Sequence, residues 1–135
     1  MEANELRIGN LVTVNNPEYH PKLKGVILRV TSISPNGDDY SVGLEHINQK
    51  PNTYYETYSQ FIRFIEPIKL TKKLITDFGI VFEKDYSSWI KGSFNLESKN
   101  GNFFFEVYSH YIQVECVHQL QNLYFPLTGE ELPVC

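Results

Sequence analysis

Apolar residues recur at every second position through most of the chain, and at helical spacing in only two short stretches. Leu11-Val12-Thr13-Val14 is a β-branched run following the turn pair Gly9-Asn10. Residues 25–33 alternate, with Val26, Leu28 and Val30 on one face and Ile27, Arg29 and Thr31 on the other. Pro35-Asn36-Gly37-Asp38 predicts a hairpin, because Asn-Gly accepts the positive φ that tight turns need. Residues 40–47 supply the returning strand, with Tyr40, Val42, Leu44 and His46 in alternation. Residues 53–58 are β-prone and aromatic, and Phe61-Ile62-Arg63-Phe64-Ile65 follows. Four or five short strands at this spacing, with a long loop after the first, predict an SH3-like small β-barrel over residues 1–66.

From Glu66-Pro67-Ile68-Lys69 onward the pattern changes. Thr71 reads as an N-cap, Leu74, Ile75 and Phe78 mark one face of a short helix, and Gly79 stands where a C′ glycine would stop it. Residues 88–97 read as one alternating strand, with Ile90, Phe94 and Leu96 on one side and Trp89, Lys91, Ser93 and Asn95 on the polar side. Lys99-Asn100-Gly101-Asn102 is the clearest hairpin turn in the chain, and strands over residues 103–108 and 111–116 follow it. Val117, Leu120, Leu123, Tyr124 and Leu127 then recur at helical spacing. Pro126 predicts that this helix ends or kinks near Phe125, since its ring clashes with the carbonyl four residues back. Residues 67–135 therefore predict an α+β unit of helix, antiparallel strands and helix, packed with residues 1–66 as one body.

With 135 residues, 41% hydrophobic and 21% charged, the chain has the composition of a folded domain and not of a disordered one. The net charge of −4 is opposite to the usual footprint of a nucleic-acid binder. Residues 1–65 hold six basic and seven acidic groups and residues 66–135 hold six and nine, so the acidity lies mainly in the second half. No apolar run approaches the length of a transmembrane span. The start, Met1-Glu2-Ala3-Asn4-Glu5, lacks the basic and apolar regions of a signal peptide. Two cysteines, Cys116 and Cys135, do not make a disulfide framework, so reduced thiols and a cytoplasmic location are expected, with no membrane association.

Asn4-Glu5-Leu6-Arg7-Ile8-Gly9-Asn10-Leu11-Val12 opens the chain. Val117-His118-Gln119-Leu120-Gln121-Asn122-Leu123-Tyr124-Phe125, then Leu127-Thr128-Gly129-Glu130-Glu131-Leu132, closes it. With Pro67-Ile68-Lys69-Leu70-Thr71 between them, these segments resemble a family of small uncharacterised bacterial proteins often found among prophage and mobile-element genes. Pro126 and Lys72-Lys73 depart from that pattern. The resemblance implies an ordered, non-secreted domain, and supplies no activity and no catalytic residue.

Few side chains stand out for chemistry. Cys116 and His118, two apart, lack the further ligands that a zinc site needs, and Cys116 shares its alternation face with Ile112 and Val114. Asp38-Asp39 falls in a turn, where Asp is favoured for local backbone bonding. His20, His46, His110 and His118 have no nucleophile or phosphate-loop motif near them, so no catalytic residue, metal or cofactor is expected and the reading leans against an enzyme. Binding is the stronger expectation. Tyr54, Tyr55 and Tyr58 with Phe61, Arg63 and Phe64 form the densest aromatic stretch beside a basic residue. Trp89, read on a polar strand face, is a candidate contact. His20, Lys22 and Lys24 belong to the one locally basic loop. The expected partner is a protein, with nucleic acid disfavoured by charge; a nucleic-acid reading would use Lys22, Lys24, Arg29, Arg63 and exposed tyrosines, and a third reading is an enzyme with an unrecognised site.

Overall fold

Two-residue turns set the register of four antiparallel ladders among the described residues. A computed structural model describes residues 1–16, 18, 21–47 and 57–133. The chain divides into two units, Met1–Ile68 and Lys69–Cys135, each built on a five-stranded antiparallel sheet. With about 22% helix and 45% strand, the class is α+β.

In the first unit the strands are β1 (Leu11–Val14), β2 (Leu28–Asn36), β3 (Asp39–His46), β4 (Thr57–Phe61) and β5 (Ile65–Glu66), in the spatial order β4-β3-β2-β1-β5. Asn36 pairs with Asp39, so Gly37-Asp38 is the hairpin loop and Pro35 belongs to β2. Gly37, at φ 64°, takes the left-handed position that a side chain would resist. Leu28, Val30, Val42 and Leu44 alternate onto one face and join Leu6, Val12, Val14, Leu23, Ile62 and Ile65 in a single core. A bulge between Val30 and Ser32 bends β2, and Gly43 lies opposite it. A Cβ on Gly43 would collide with the Ser32 hydroxyl oxygen, which accounts for glycine inside that strand.

Among the described residues the expected closed barrel does not form as a hydrogen-bonded ladder, since neither sheet closes. Residues Ile62–Phe64 fold as a 3-10 turn, so their backbone does not extend β4 towards pairing with β5.

The second unit is a meander flanked by helices: α1 (Lys72–Asp77), β6 (Val81–Glu83), β7 (Ser88–Lys91), β8 (Phe94–Lys99), β9 (Asn102–Val107), β10 (His110–Val114) and α2 (Val117–Thr128). The sheet order is β10-β9-β8-β7-β6. Thr71 caps α1, its hydroxyl accepting from the Leu74 amide at 3.2 Å, and Gly79 follows at φ 81°. Lys99 pairs with Asn102, leaving Asn100-Gly101 as a two-residue loop with both φ positive, the pattern of a type I′ turn.

Residues 88–97 are not one strand. Lys91 pairs with Phe94, so Gly92-Ser93 is a further hairpin turn and the chain reverses there. Trp89 then stands opposite Leu96 on the same face and is buried, whereas Ile90 turns to the other face opposite Asn95. This corrects the polar-face placement of Trp89: the alternation was continued through a reversal. The reversal places Trp89 beside Phe82 and Phe103, with ring centroids 5.3 Å and 6.4 Å away.

Helix α2 also departs from expectation. It runs through Pro126 to Thr128 and ends at Gly129, at φ 76°, whose amide donates to the Phe125 carbonyl. Pro126 has no N–H to give to the Asn122 carbonyl, yet the helix continues two residues past it. The buried face holds Val117, His118, Leu120, Gln121 and Tyr124, while Leu127 is exposed. Tyr124 meets Phe94 edge-on at 5.2 Å, and Phe94 stacks on Phe105 at 5.4 Å, which ties helix to sheet.

Candidate functional site

β3 and β4 pair with Ser41 opposite Phe61, Val42 opposite Gln60, Gly43 opposite Ser59 and Leu44 opposite Tyr58. Strand alternation therefore sends Gln60 and Tyr58 to the face of Val42 and Leu44, and Ser59 and Phe61 to the opposite face. Gln60 is a buried amide in an apolar setting, and it is satisfied from the far side of the sheet. Asn16, just past the end of β1 and also buried, donates from Nδ2 to Gln60 Oε1 at 2.9 Å. The Asn15 amide donates to the Phe64 carbonyl at 2.9 Å, a second tie between the same regions. On the outer face the Ser41 and Ser59 hydroxyls are 2.8 Å apart.

These groups border a cleft of about 390 Å³ lined by Asn16, Asn36, Ser41, Gln60, Phe61 and Arg63, together with Ser59 and Phe64. Arg63 is its one charged wall among the described residues. The guanidinium carbon lies 4.8 Å from the Phe61 ring centroid and 5.1 Å from that of Phe64, so both aromatic rings support the cation. Nη1 is 3.4 Å from Asp39 Oδ2. Asp39 is itself held, since its Oδ1 accepts from the Tyr40 amide at 2.8 Å. The Arg63 side chain is nevertheless 63% exposed. A guanidinium has five N–H donors in a rigid fork, so a carboxylate or peptide carbonyl entering from solvent meets an oriented donor set. Serine hydroxyls and side-chain amides alongside add donors and acceptors of both kinds.

The residues singled out from sequence scatter. Arg63 lines the cleft, with Phe61 and Phe64. Tyr58 is half-buried on the core side, its hydroxyl 3.1 Å from His46 Nε2 and its ring edge-on to that imidazole at 5.5 Å. Lys22 and Lys24 are exposed, on either side of Leu23, which anchors the 3-10 turn Pro21–Leu23 in the core. Trp89 belongs to the core of the second unit. Tyr54, Tyr55 and His20 lie outside the described residues. Of the cations in the nucleic-acid reading, Arg29 pairs with Glu45 at 3.1 Å and Arg63 with Asp39.

Sequence reasoning missed Asn16 and Gln60. The available signal was Gln60 itself, a polar residue alternating between Tyr58 and Ile62 on an otherwise apolar face. Cys116 precedes α2 and is half-buried; the Gln119 side-chain oxygen accepts from its amide at 3.1 Å and from that of Glu115 at 2.9 Å. His118 is buried. Among the described residues no three His, Cys, Asp or Glu side chains gather in a metal-binding group, and no helix is long and apolar enough to cross a membrane. Comparison with known protein families, with curated proteins and with solved structures gives no match.

Proposed function

We propose that the chain is a non-enzymatic binding module that holds a protein partner at the β4 edge of its first unit. The observation that carries this reading is Arg63, exposed yet oriented by Phe61, Phe64 and Asp39 at the mouth of a cleft rich in amides and hydroxyls. Arginine on an aromatic support is a side chain that concentrates binding energy at protein interfaces. Its fork favours an acidic side chain or a main-chain carbonyl on the partner.

We also propose that this unit is an SH3-like barrel in architecture. The strand order, the 3-10 turn between β4 and β5, and the bond from Asn16 to Gln60 all support that reading. So does its core, gathered by one sheet with only 3-10 turns beside it among the described residues, because such a sheet buries a face only by curling around it. The segments at residues 4–12 and 117–132 support kinship with the prophage-associated family, and with it a cytoplasmic location.

The test is affinity purification from the native host with wild-type and Arg63→Glu chains. A protein retained by the wild type and lost by the variant, at unchanged melting temperature, upholds the reading. Equal retention by both chains overturns it. Retention that disappears with nuclease and falls steeply with salt transfers the site to nucleic acid.

A further inference from the structure

The outward face of the second sheet carries a different kind of pocket. Register places Ser88 opposite Glu97, Glu97 opposite Phe104, and Glu106 opposite Tyr111. Phe104 and Glu106 are two residues apart on β9 and share a face. Aromatic rings and carboxylates thus form a checkerboard, with Phe104 diagonal to Tyr111 and Glu97 diagonal to Glu106. The turn after β6 brings Tyr86 to the same cavity. It is held by Ser88, whose hydroxyl donates to the Tyr86 carbonyl at 2.9 Å, and by the Ser87 amide, which donates to Lys84 at 3.2 Å. Ser87 adopts φ 50°, a left-handed conformation uncommon for a residue other than glycine. The resulting cavity has a volume of about 610 Å³ and is walled by Tyr86, Phe104 and Tyr111, with Glu97 and Lys99 at its polar side.

The charged walls of this pocket are Glu97 and Lys99, and Glu106, opposite Tyr111, adds a second carboxylate beside the rings. Among the described residues neither Glu97 nor Glu106 enters an ion pair. Their field reaches the phenol: Glu106 first and Glu97 second raise Tyr111 above the ordinary tyrosine range, since a phenolate there would face two carboxylates. Tyr86 is 74% exposed and Tyr111 58% exposed, so both offer ring surface to a ligand.

We propose that this pocket binds an organic cation of the trimethylammonium type. Ring faces present the negative side of their quadrupole, and Glu97 and Glu106 set two carboxylates against the one ammonium of Lys99. A bare ammonium is strongly hydrated and gains little from aromatic walls. A methylated one is large, weakly hydrated and diffuse in charge, which is the chemistry that aromatic cages select. The site is separate from the Arg63 cleft and does not depend on the function proposed for it.

The experiment is an amide-resolved NMR titration of the full chain with choline chloride at constant ionic strength, run beside its neutral carbon isostere dimethylbutanol. Saturable shifts centred on Tyr86, Phe104 and Tyr111, with the isostere weaker by roughly tenfold, uphold the proposal. Glu97→Gln, at a half-exposed position that tolerates the change, weakens choline by roughly threefold to tenfold. Equal binding of the isostere, no saturable shift, or an unaltered Glu97→Gln variant overturns it. Trimethyllysine and phosphocholine then separate the two sources of the group: preference for the first assigns a modified protein side chain, preference for the second a lipid headgroup. Binding of neither overturns the site.

Discussion

The two units solve one problem, a five-stranded antiparallel sheet with a face to bury, by different means. The first gathers its own core and is stitched by polar side chains: Asn16 to Gln60, Ser41 to Ser59, Arg29 to Glu45 and His46 to Tyr58. The second covers its sheet with α2 and is joined by rings, Phe82 to Trp89 to Phe103 and Phe105 to Phe94 to Tyr124. Polar stitching needs every partner present, because a buried amide left alone keeps its desolvation penalty. Ring packing depends on volume, and it fails by leaving a cavity. The same architecture is thus vulnerable to different substitutions in its two halves.

The largest expected effect lies in the aromatic half. Trp89→Ala removes the centre of the Phe82–Trp89–Phe103 group and lowers stability by about 3–5 kcal/mol in urea unfolding followed by circular dichroism. A loss below about 0.5 kcal/mol, the range of surface substitutions, would return Trp89 to the solvent face. Next comes the polar half. Asn16→Ala strands the Gln60 amide and lowers stability by about 1–3 kcal/mol, and pairing it with Gln60→Leu recovers part of that loss. If the double variant is as unstable as the sum of the two singles, the amide bridge is not what joins these regions. A smaller effect is expected where the halves use ordinary local devices. Thr71→Ala removes the cap of α1 and lowers stability by about 1 kcal/mol, read as the shift in urea midpoint at constant slope. The smallest is a gain. Tyr108 and Ser109, at φ 47° and 68°, form the turn between β9 and β10 without a glycine, and Ser109→Gly stabilises by about 0.5–1 kcal/mol in the same measurement. No gain there would mean that the turn is not strained.

The sequence made the elements legible where local chemistry decides them. Thr71 and Gly79 bounded α1, and Asn100-Gly101 fixed a hairpin, because caps and left-handed turns depend on residues within reach of each other. It misled where alternation continues across a turn. Residues 88–97 read as one alternating strand, but the chain reverses at Gly92-Ser93, and that reversal inverts the assignment of Trp89 and Ile90. Pro126 reads as a stop from its lost N–H and its ring, yet the helix runs through it to Thr128 and ends at Gly129. The cleft was half legible: Arg63, Phe61 and Phe64 are contiguous, while Asn16 reaches Gln60 only through the fold. Nor could the checkerboard of Glu97, Phe104, Glu106 and Tyr111 be seen before the register of three strands was known.

Trp89 is the one tryptophan of the chain, and its buried indole N–H meets no acceptor among the described residues. Its placement makes the second unit self-reporting. An indole shut away from water and from hydrogen-bonding partners emits towards the blue, and its emission moves to the red when water reaches it. Excitation at the red edge of the indole band, where tyrosine does not absorb, therefore follows the packing around Trp89 in the second unit with no label attached, since the first unit has no tryptophan.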